Sequence, residues 1–324
     1  MSVLTRLAAG VALALAPLLA TPAIGQDYPN KQVRIIVPFG AGGPADVFAR
    51  EIAQHLTEAL KQTFVVENRP GAGAIIGTNE VAKATPDGYT LLMMSNTHTT
   101  NESLIPNKPF QLMRDFAPIT PVNYSDVMMV VHPSTGVKNL KEFIALAKSK
   151  PGQLNYASSG PGTPYHMAAE LLKSMTGTDI VHVPHKTSGD MRSSVLGGHV
   201  QMMFDAITVL QQSVQSGQVI ALGTSGKKRS EVMPEVPTID EAGVPGYEST
   251  IWLGLMAPTG TPQPVLDKLN GEIVKIMSRA DLKQAWLKKG AVPMPMSTAE
   301  FDKYLRADID KWAEVVRVSG AKVQ

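Results

Sequence analysis

Apolar positions along this chain follow two patterns, one typical of β-strands and one typical of α-helices, and the two patterns alternate. A short β-type apolar run at residues 33–39 is followed by 45–60, where apolar residues recur at helical spacing. The alternation continues with strands predicted at 64–67 and 90–95 and a helix predicted at 74–83. Strands that alternate with helices are typical of an α/β fold with largely parallel sheets.

A second alternating set follows, after a polar stretch at 96–115 that is predicted as a long loop. Its predicted strands are 127–131, 155–158, 180–183, 200–204, 219–224 and 248–257, and its predicted helices are 139–149, 164–175, 189–196 and 209–216. Helices at 262–277, 281–288 and 298–318 complete the chain. Two α/β units predict a two-lobed protein with a hinged ligand cleft between the lobes. We predict domain I at residues 26–122 plus 248–324 and domain II at 123–247.

The first 25 residues have the pattern of a secretory signal peptide. Arg6 precedes the apolar run 7–16, and small residues stand at Ala23 and Gly25. This run is too short to span a bilayer. We therefore predict an exported protein that is cleaved near Gly25.

Composition excludes several classes of function. None of the 324 residues is cysteine, so disulfides and thiol nucleophiles are excluded. With 30 basic and 28 acidic residues the net charge is +2, which gives no electrostatic footprint for nucleic acid. Since no segment after the signal peptide is apolar for eighteen residues, we expect a soluble mature chain.

A glycine-rich turn links the first predicted strand to its helix. It reads Gly40-Ala41-Gly42-Gly43-Pro44-Ala45 and follows Phe39. Glycine lets backbone N–H groups approach a ligand, and the helix end behind it carries unpaired donors and a partial positive charge. This combination favours a small anion such as a carboxylate. It also matches the dinucleotide-binding pattern, but export and Pro44 make that interpretation the weaker one.

A second turn of the same kind lies in the other half of the chain. Ser158-Ser159-Gly160-Pro161-Gly162-Thr163 joins a predicted strand to a predicted helix that contains His166. Serine and threonine hydroxyls beside a helix start again suit a carboxylate. One such turn in each lobe predicts a ligand that is held at both ends.

Three further polar segments end predicted strands, where ligands bind in open α/β sheets. Thr97, His98 and Thr99 follow one strand, Asp205 ends another, and His185 with Lys186 follows a third. Each segment has an ordinary structural alternative, namely a polar turn, a helix cap or a solvated lysine.

Catalysis and metal binding have weaker support in the sequence. An exported serine hydrolase that uses Ser158 or Ser159 with His166 is the alternative function, although neither serine lies in a G-x-S-x-G elbow. His182 and His185 are spaced so that their side chains point to different faces of a strand. Without cysteine or an H-E-x-x-H motif, we predict no metal and no cofactor.

Motifs spread over the whole mature chain resemble the tripartite tricarboxylate transporter receptors, the Bug-type extracytoplasmic solute receptors. They lie, in order, at residues 28–29, 37–46, 66–73, 86–91, 154–166, 182–184, 203–205 and 234–247. The resemblance implies a periplasmic binding protein of the Venus flytrap type that closes on a small carboxylated metabolite. It also implies a partner among inner-membrane transporter subunits, and we expect a monomer that binds no nucleic acid.

In that family, the turns matching Gly42-Gly43 and Gly160–Thr163 hold carboxylate oxygens, and the position of Asp205 faces the ligand. The chain departs from the family pattern at Ala41, Pro44 and Ala206, and at His185, where tyrosine is usual. These changes favour a ligand with an apolar or aromatic body. The predicted ligand-binding residues are Phe39, Gly40, Ala41, Gly42, Gly43, Ala45, Thr97, His98, Thr99, Ser158, Gly160, Gly162, Thr163, His166, His185 and Asp205.

Overall fold

The computed structural model of the protein describes residues 28–319 and 321. The predicted signal peptide lies outside the described residues. Within them, none of the helices has both the length and the apolar character that a membrane span requires.

The described residues form ten strands and eleven α-helices. The strands are β1 (Val33–Val37), β2 (Phe64–Asn68), β3 (Thr90–Ser95), β4 (Phe116–Val131), β5 (Asn155–Ser158), β6 (Val181–Pro184), β7 (Met202–Ala206), β8 (Ile220–Thr224), β9 (Thr250–Pro258) and β10 (Ala291–Pro293). The helices are α1 (Pro44–Leu60), α2 (Ile75–Ala82), α3 (Asn96–Leu104), α4 (Leu112–Asp115), α5 (Leu140–Ser149), α6 (Pro164–Thr176), α7 (Ser188–Leu196), α8 (Ile207–Gln215), α9 (Gln263–Met277), α10 (Ala280–Leu287) and α11 (Thr298–Ser319).

One long strand joins two mixed sheets. The strand order is β2-β1-β3-β9-β4-β7-β5-β6, and β8 and β10 also pair with β4. Residues 116–126 of β4 pair with β9, whereas 127–131 pair with β7 and β8. The outer strands are parallel, as β1 is to β2 and β3, while every pairing of β4 is antiparallel. The fold is therefore α/β and two-lobed, as predicted, with an antiparallel centre.

The buried side chains divide between the two lobes. Along β3, Leu91 and Met93 join one hydrophobic cluster and Leu92 and Met94 join a second cluster, so this sheet is covered on both faces. We call this region lobe one. Lobe two is built around a third cluster, which runs from Val127 to Ile251. The domain limits after residues 122 and 247 stay a prediction.

Most predicted elements are present, and the exceptions have physical causes. The loop predicted at 96–115 is wrong, because it contains α3 and α4. Ser95 caps α3 in a capping box with His98, and its polar side chains are buried, so its composition resembled a loop. The first part of β4 was missed because Pro118 and Pro121 interrupt it, and the strand register shifts beside both prolines.

Candidate ligand-binding cleft

A cleft of about 790 Å³ lies between the two lobes. Lobe one lines it with residues 38–45, 70–74, 95 and 253, and lobe two with 159–161, 163–165, 185–189, 192 and 251. Each lobe thus contributes its predicted glycine turn. The volume is within the range of small-molecule binding sites.

The lining of the cleft is electrostatically suited to an anion. Among the described residues that line it there is no aspartate or glutamate, whereas Lys186 and Arg192 are present. Four helices begin at its wall, with Gly43, Ala74, Thr163 and Thr187 as the N-cap residues of α1, α2, α6 and α7. Helix N-termini carry a partial positive charge, so backbone and side chains both favour a negatively charged ligand.

The turn of lobe one uses one of its own glycine amides. Gly42 lies at φ +77°, and its N–H donates to Asp46 Oδ2 over 2.9 Å. Burial raises the pKa of Asp46, but hydrogen bonds from Arg50 and Gly42 outweigh it, so the pKa is lowered and the carboxylate stays charged. No side chain caps α1 at Gly43. The amides of the first helical turn, rather than that of Gly42, are therefore left for a ligand.

The turn of lobe two is organised in the same way. Gly160 N–H donates to Ser158 Oγ over 3.1 Å, and Gly162 N–H donates to His166 Nδ1 over 3.0 Å. The Thr163 hydroxyl donates to Gly160 O over 2.7 Å, and no side chain caps α6. Both glycine amides thus shape the turn, and the start of α6 is the part open to an anion.

A stack of three rings supports this second turn from behind. The centroid of the His182 ring lies 4.8 Å from that of Tyr156 and 4.2 Å from that of His166, and the ring planes are nearly parallel. Ser158 Oγ lies 2.6 Å from His182 Nε2. Burial lowers the pKa of His166 to about 4 and that of His182 to about 3. Both imidazoles are therefore neutral at pH 7, as the acceptor role of His166 Nδ1 toward Gly162 N–H requires.

The serine–histidine pair in this stack differs from the predicted one. Ser158 pairs with His182, while His166 Nδ1 is taken by the amide of Gly162. The side chain of Ser158 is fully buried and lies outside the cleft lining. In this arrangement the hydroxyl of Ser158 stabilises the conformation of its own turn.

The three candidates on α3 lie behind the wall of lobe one. Thr99 Oγ1 donates to Asp308 Oδ2 over 2.6 Å, and His98 Nε2 lies 2.9 Å from Thr78 Oγ1. Burial lowers the pKa of His98 to about 4. Thr97 is also fully buried. These side chains fix α3 within the lobe instead of lining the cleft.

Asp205 is sealed from the cleft by Arg192. Its side chain is 1% exposed, and it accepts from Arg192 Nη1 over 2.9 Å and from Ala206 N–H over 2.8 Å. Burial raises the pKa of Asp205, and the neighbouring guanidinium opposes that shift. The cleft therefore meets the cation of this pair and not the carboxylate.

Arg192 was missed in the sequence, although a signal for it exists. It lies four residues after Ser188, the first residue of α7, and helical side chains tilt toward the N-terminus. An arginine one turn into a helix that begins at a candidate site loop is thus directed back to that loop. The same loop brings Thr187, Ser188 and Gly189 to the cleft wall.

The structure divides the predicted site residues into two groups. Those on the cleft wall are Phe39, Gly40, Ala41, Gly42, Gly43, Ala45, Gly160, Thr163 and His185. Those outside the lining are Thr97, His98, Thr99, Ser158, Gly162, His166 and Asp205. Within the second group, Ser158 and His166 accept from amides of the lobe-two turn, whereas Thr99 bonds to Asp308 within lobe one.

The lobes approach each other closely at one side of the cleft. A Cβ atom at Gly162 would lie 2.6 Å from Asn101 Oδ1, and one at Gly73 would lie 3.4 Å from Pro161 O. Asn101 Nδ2 in turn donates to Gly73 O over 2.8 Å. Glycine at 162 is thus required for the contact between the two lobes as well as for its own backbone angle.

Comparisons with known proteins agree with this geometry. Residues 48–320 match the model of the tripartite tricarboxylate transporter family receptor. Protein BugT of Bordetella pertussis is 33% identical over 324 residues, with 99% of each chain covered.

Three solved structures share the fold over nearly their whole length. A protein of R. palustris solved with adipate is 32% identical, with a TM-score of 0.87 over 91% of this chain and 99% of that one. The periplasmic binding protein BugD is 32% identical, with a TM-score of 0.84 over 92% and 100%. MatC from Rhodopseudomonas palustris with bound malate is 30% identical, with a TM-score of 0.82 over 89% and 100%. This chain belongs to the tripartite tricarboxylate transporter receptor family of periplasmic solute-binding proteins.

Proposed function

We propose that this protein captures a small carboxylate between its two lobes in the periplasm and delivers it to a tripartite tricarboxylate-type transporter in the inner membrane. The observation that carries the proposal is the cleft itself. Helix N-termini and two basic side chains face it, and no acidic side chain among the described residues lines it. An anion is the ligand that such a lining stabilises best.

A ligand that binds both walls would stabilise the closed arrangement of the two lobes. A ligand shifts a conformational equilibrium only by its difference in affinity for the two states. A carboxylate that touches the start of α1 and the start of α6 or α7 makes more contacts when the lobes are together. The transporter would then recognise the closed, loaded receptor.

The ligand classes that we carry forward are di- and tricarboxylates, aromatic carboxylates and acidic amino acids. Adipate and malate, the ligands of two structural neighbours, are both dicarboxylates. Phe39, Pro70 and Leu253 give the cleft an apolar share of its lining, which suits a ligand with a hydrocarbon body.

The proposed receptor works as a monomer, after signal-peptide cleavage, and performs no chemistry of its own. The buried position of Ser158 disfavours a hydrolase built on that serine, and the use of His166 Nδ1 by Gly162 disfavours His166 as the base for either Ser158 or Ser159, which lines the cleft. Turnover of ester or amide substrates that is abolished by Ser158→Ala would instead establish the hydrolase.

A thermal-shift screen tests the proposed function directly. A ligand at a hundred times its Kd adds about 2.7 kcal/mol of stability, which raises the Tm of a protein of this size by roughly 4 °C. We expect such a shift with at least one carboxylate and none with the corresponding amide, for example adipate against adipamide. The Lys283→Ala variant, which removes an exposed lysine on α10, should respond like the wild type. No shift with any carboxylate at millimolar concentration would refute the proposal.

A further inference from the structure

Arg192 and Asp205 form a pair in which only the cation reaches the cleft. The side chain of Arg192 is 28% exposed and lines the cleft, whereas that of Asp205 is 1% exposed and does not. The two are joined by the bond from Nη1 to Oδ2. The pair therefore presents a guanidinium to the ligand and holds its counter-charge underneath.

The guanidinium retains hydrogen-bonding capacity in this position. It has five N–H donors in a planar fork, and the bond to Asp205 uses one of them. The bond also restrains the position of the guanidinium, which reduces the side-chain entropy lost when a ligand binds. A planar carboxylate is the group that such a fork recognises best, since two parallel hydrogen bonds can form.

The surroundings of Arg192 strengthen this preference. It lies one turn inside α7, whose N-cap is Thr187, and Lys186 lines the same wall. Helix end, guanidinium and ammonium all carry positive charge on the wall of lobe two. A ligand ammonium placed there would meet like charges, because the buried carboxylate of Asp205 is covered.

We propose that Arg192 determines ligand specificity, by binding the second carboxylate of a dianionic ligand and by excluding ligands with an ammonium group at that end. This rests on the proposed function, and it selects among the three ligand classes. Of these classes, dicarboxylates are favoured. The family resemblance implied that Asp205 contacts the ligand, and we assign that contact to Arg192 instead.

Three probes of equal chain length separate the charges. Adipate, hexanoate and 6-aminohexanoate carry two carboxylates, one carboxylate, and one carboxylate with one ammonium group. By isothermal titration calorimetry, we expect the wild type to bind adipate at least about tenfold more tightly than hexanoate, since a charge-assisted hydrogen bond is lost. It should bind 6-aminohexanoate most weakly of the three. Succinate, butyrate and 4-aminobutyrate form a second set in case the cleft suits a shorter chain.

Removal of Arg192 should then reverse the order of the probes. In Arg192→Met, the dicarboxylate loses at least about tenfold in affinity, the monocarboxylate changes little, and the aminocarboxylate gains, because Asp205 is uncovered. The double variant Arg192→Met/Asp205→Asn should still bind the dicarboxylate more weakly, but it should not bind the aminocarboxylate more tightly. It also carries the test if the single variant fails to fold with an unpaired Asp205. Arg229→Met is the matched control, because it removes an exposed arginine that pairs with Glu241 outside the cleft lining, and it should leave the affinities for all three probes unchanged.

The outcomes separate this proposal from the proposed function. If the double variant weakens dicarboxylate and monocarboxylate equally, or weakens neither, Arg192 does not determine specificity while the receptor function stands. If Arg229→Met produces the same loss, the assignment to Arg192 is likewise overturned. If the wild type binds no carboxylate of any length, both proposals fail.

Discussion

The two walls of the cleft are built alike in backbone and differ in charge. Each consists of a strand, a glycine turn that consumes its own amides, and a helix that begins with proline and lacks a side-chain cap. In lobe one, Arg50 pairs with Asp46 of the turn's helix and is absent from the cleft lining. In lobe two, Arg192 and Lys186 both reach the cleft. We infer that lobe one accepts any carboxylate and that lobe two discriminates between ligands.

The second difference between the lobes lies behind the walls. His98 supports lobe one through Thr78 and Ser95, whereas lobe two has two stacked histidines, His166 and His182. Buried neutral imidazoles hold both turns, so the geometry of both walls depends on these rings staying uncharged.

The largest effect that we expect is a loss of stability in acid. The pKa of His166 is lowered to about 4 in the folded protein, and its value in the unfolded chain is about 6.5. As pH falls from 6.5 to 4, the unfolded chain takes up a proton that the folded one does not. The free energy of unfolding therefore falls, by up to about 1.4 kcal/mol per pH unit for this residue. The stability that depends on neutral His166 is fully present above pH 6.5.

Denaturant unfolding of His166→Gln between pH 7 and 4 measures this contribution. The variant should lose stability less steeply than the wild type over that window. His199→Gln, which removes an exposed histidine, serves as the control and should keep the wild-type slope. Equal slopes for wild type and His166→Gln would show that the stack does not depend on a neutral ring.

The next effect concerns the contact between the lobes. Gly162→Ala adds a methyl group 2.6 Å from Asn101 Oδ1, so the Asn101 side chain must shift and the contact between the lobes is disturbed. We expect a loss of ligand affinity on the order of tenfold, which corresponds to about 1.4 kcal/mol. Gly136→Ala is the matched control, because Gly136 has the same φ of +73° and open space around it. Calorimetry that finds equal affinities in the two variants would contradict the role of this contact.

The smallest effect should appear in lobe one. Gly42 has a φ of +77° and no atom within 4 Å of an added Cβ, so the methyl group of Gly42→Ala would occupy open space beside the ligand. We expect a stability loss like that of Gly136→Ala and an affinity loss below tenfold, less than about 1.4 kcal/mol. The loss should be equal for dicarboxylates and monocarboxylates. A selective loss of one class would place discrimination in lobe one as well.

Local pattern was sufficient to predict the two turns. A strand, glycines and a helix with Pro44 or Pro164 at its start follow each other directly in the sequence, and the structure has them at those places. The helix predicted at 139–149 is likewise present, and the side chain of its N-cap Asn139 accepts from Glu142 N–H. In each case the interacting groups lie within a few residues of one another.

What the sequence did not reveal depends on distant partners. Thr99 is buried, and its hydroxyl donates a hydrogen bond to Asp308, which lies 209 residues further along the chain. Asp205 is hidden because α7 brings Arg192 over it from another element. The local spacing of apolar and polar residues does not indicate such long-range pairings. Both residues were therefore predicted to contact the ligand, although they lie behind the cleft wall.

A crystal structure of the protein with adipate would show which groups bind each carboxylate. We predict one carboxylate at the uncapped start of α1 and the other within hydrogen-bond distance of the Arg192 guanidinium, with Asp205 still paired beneath it. A second carboxylate that contacts neither Arg192 nor the start of α7, or a cleft in which Asp205 itself faces the ligand, would contradict this prediction.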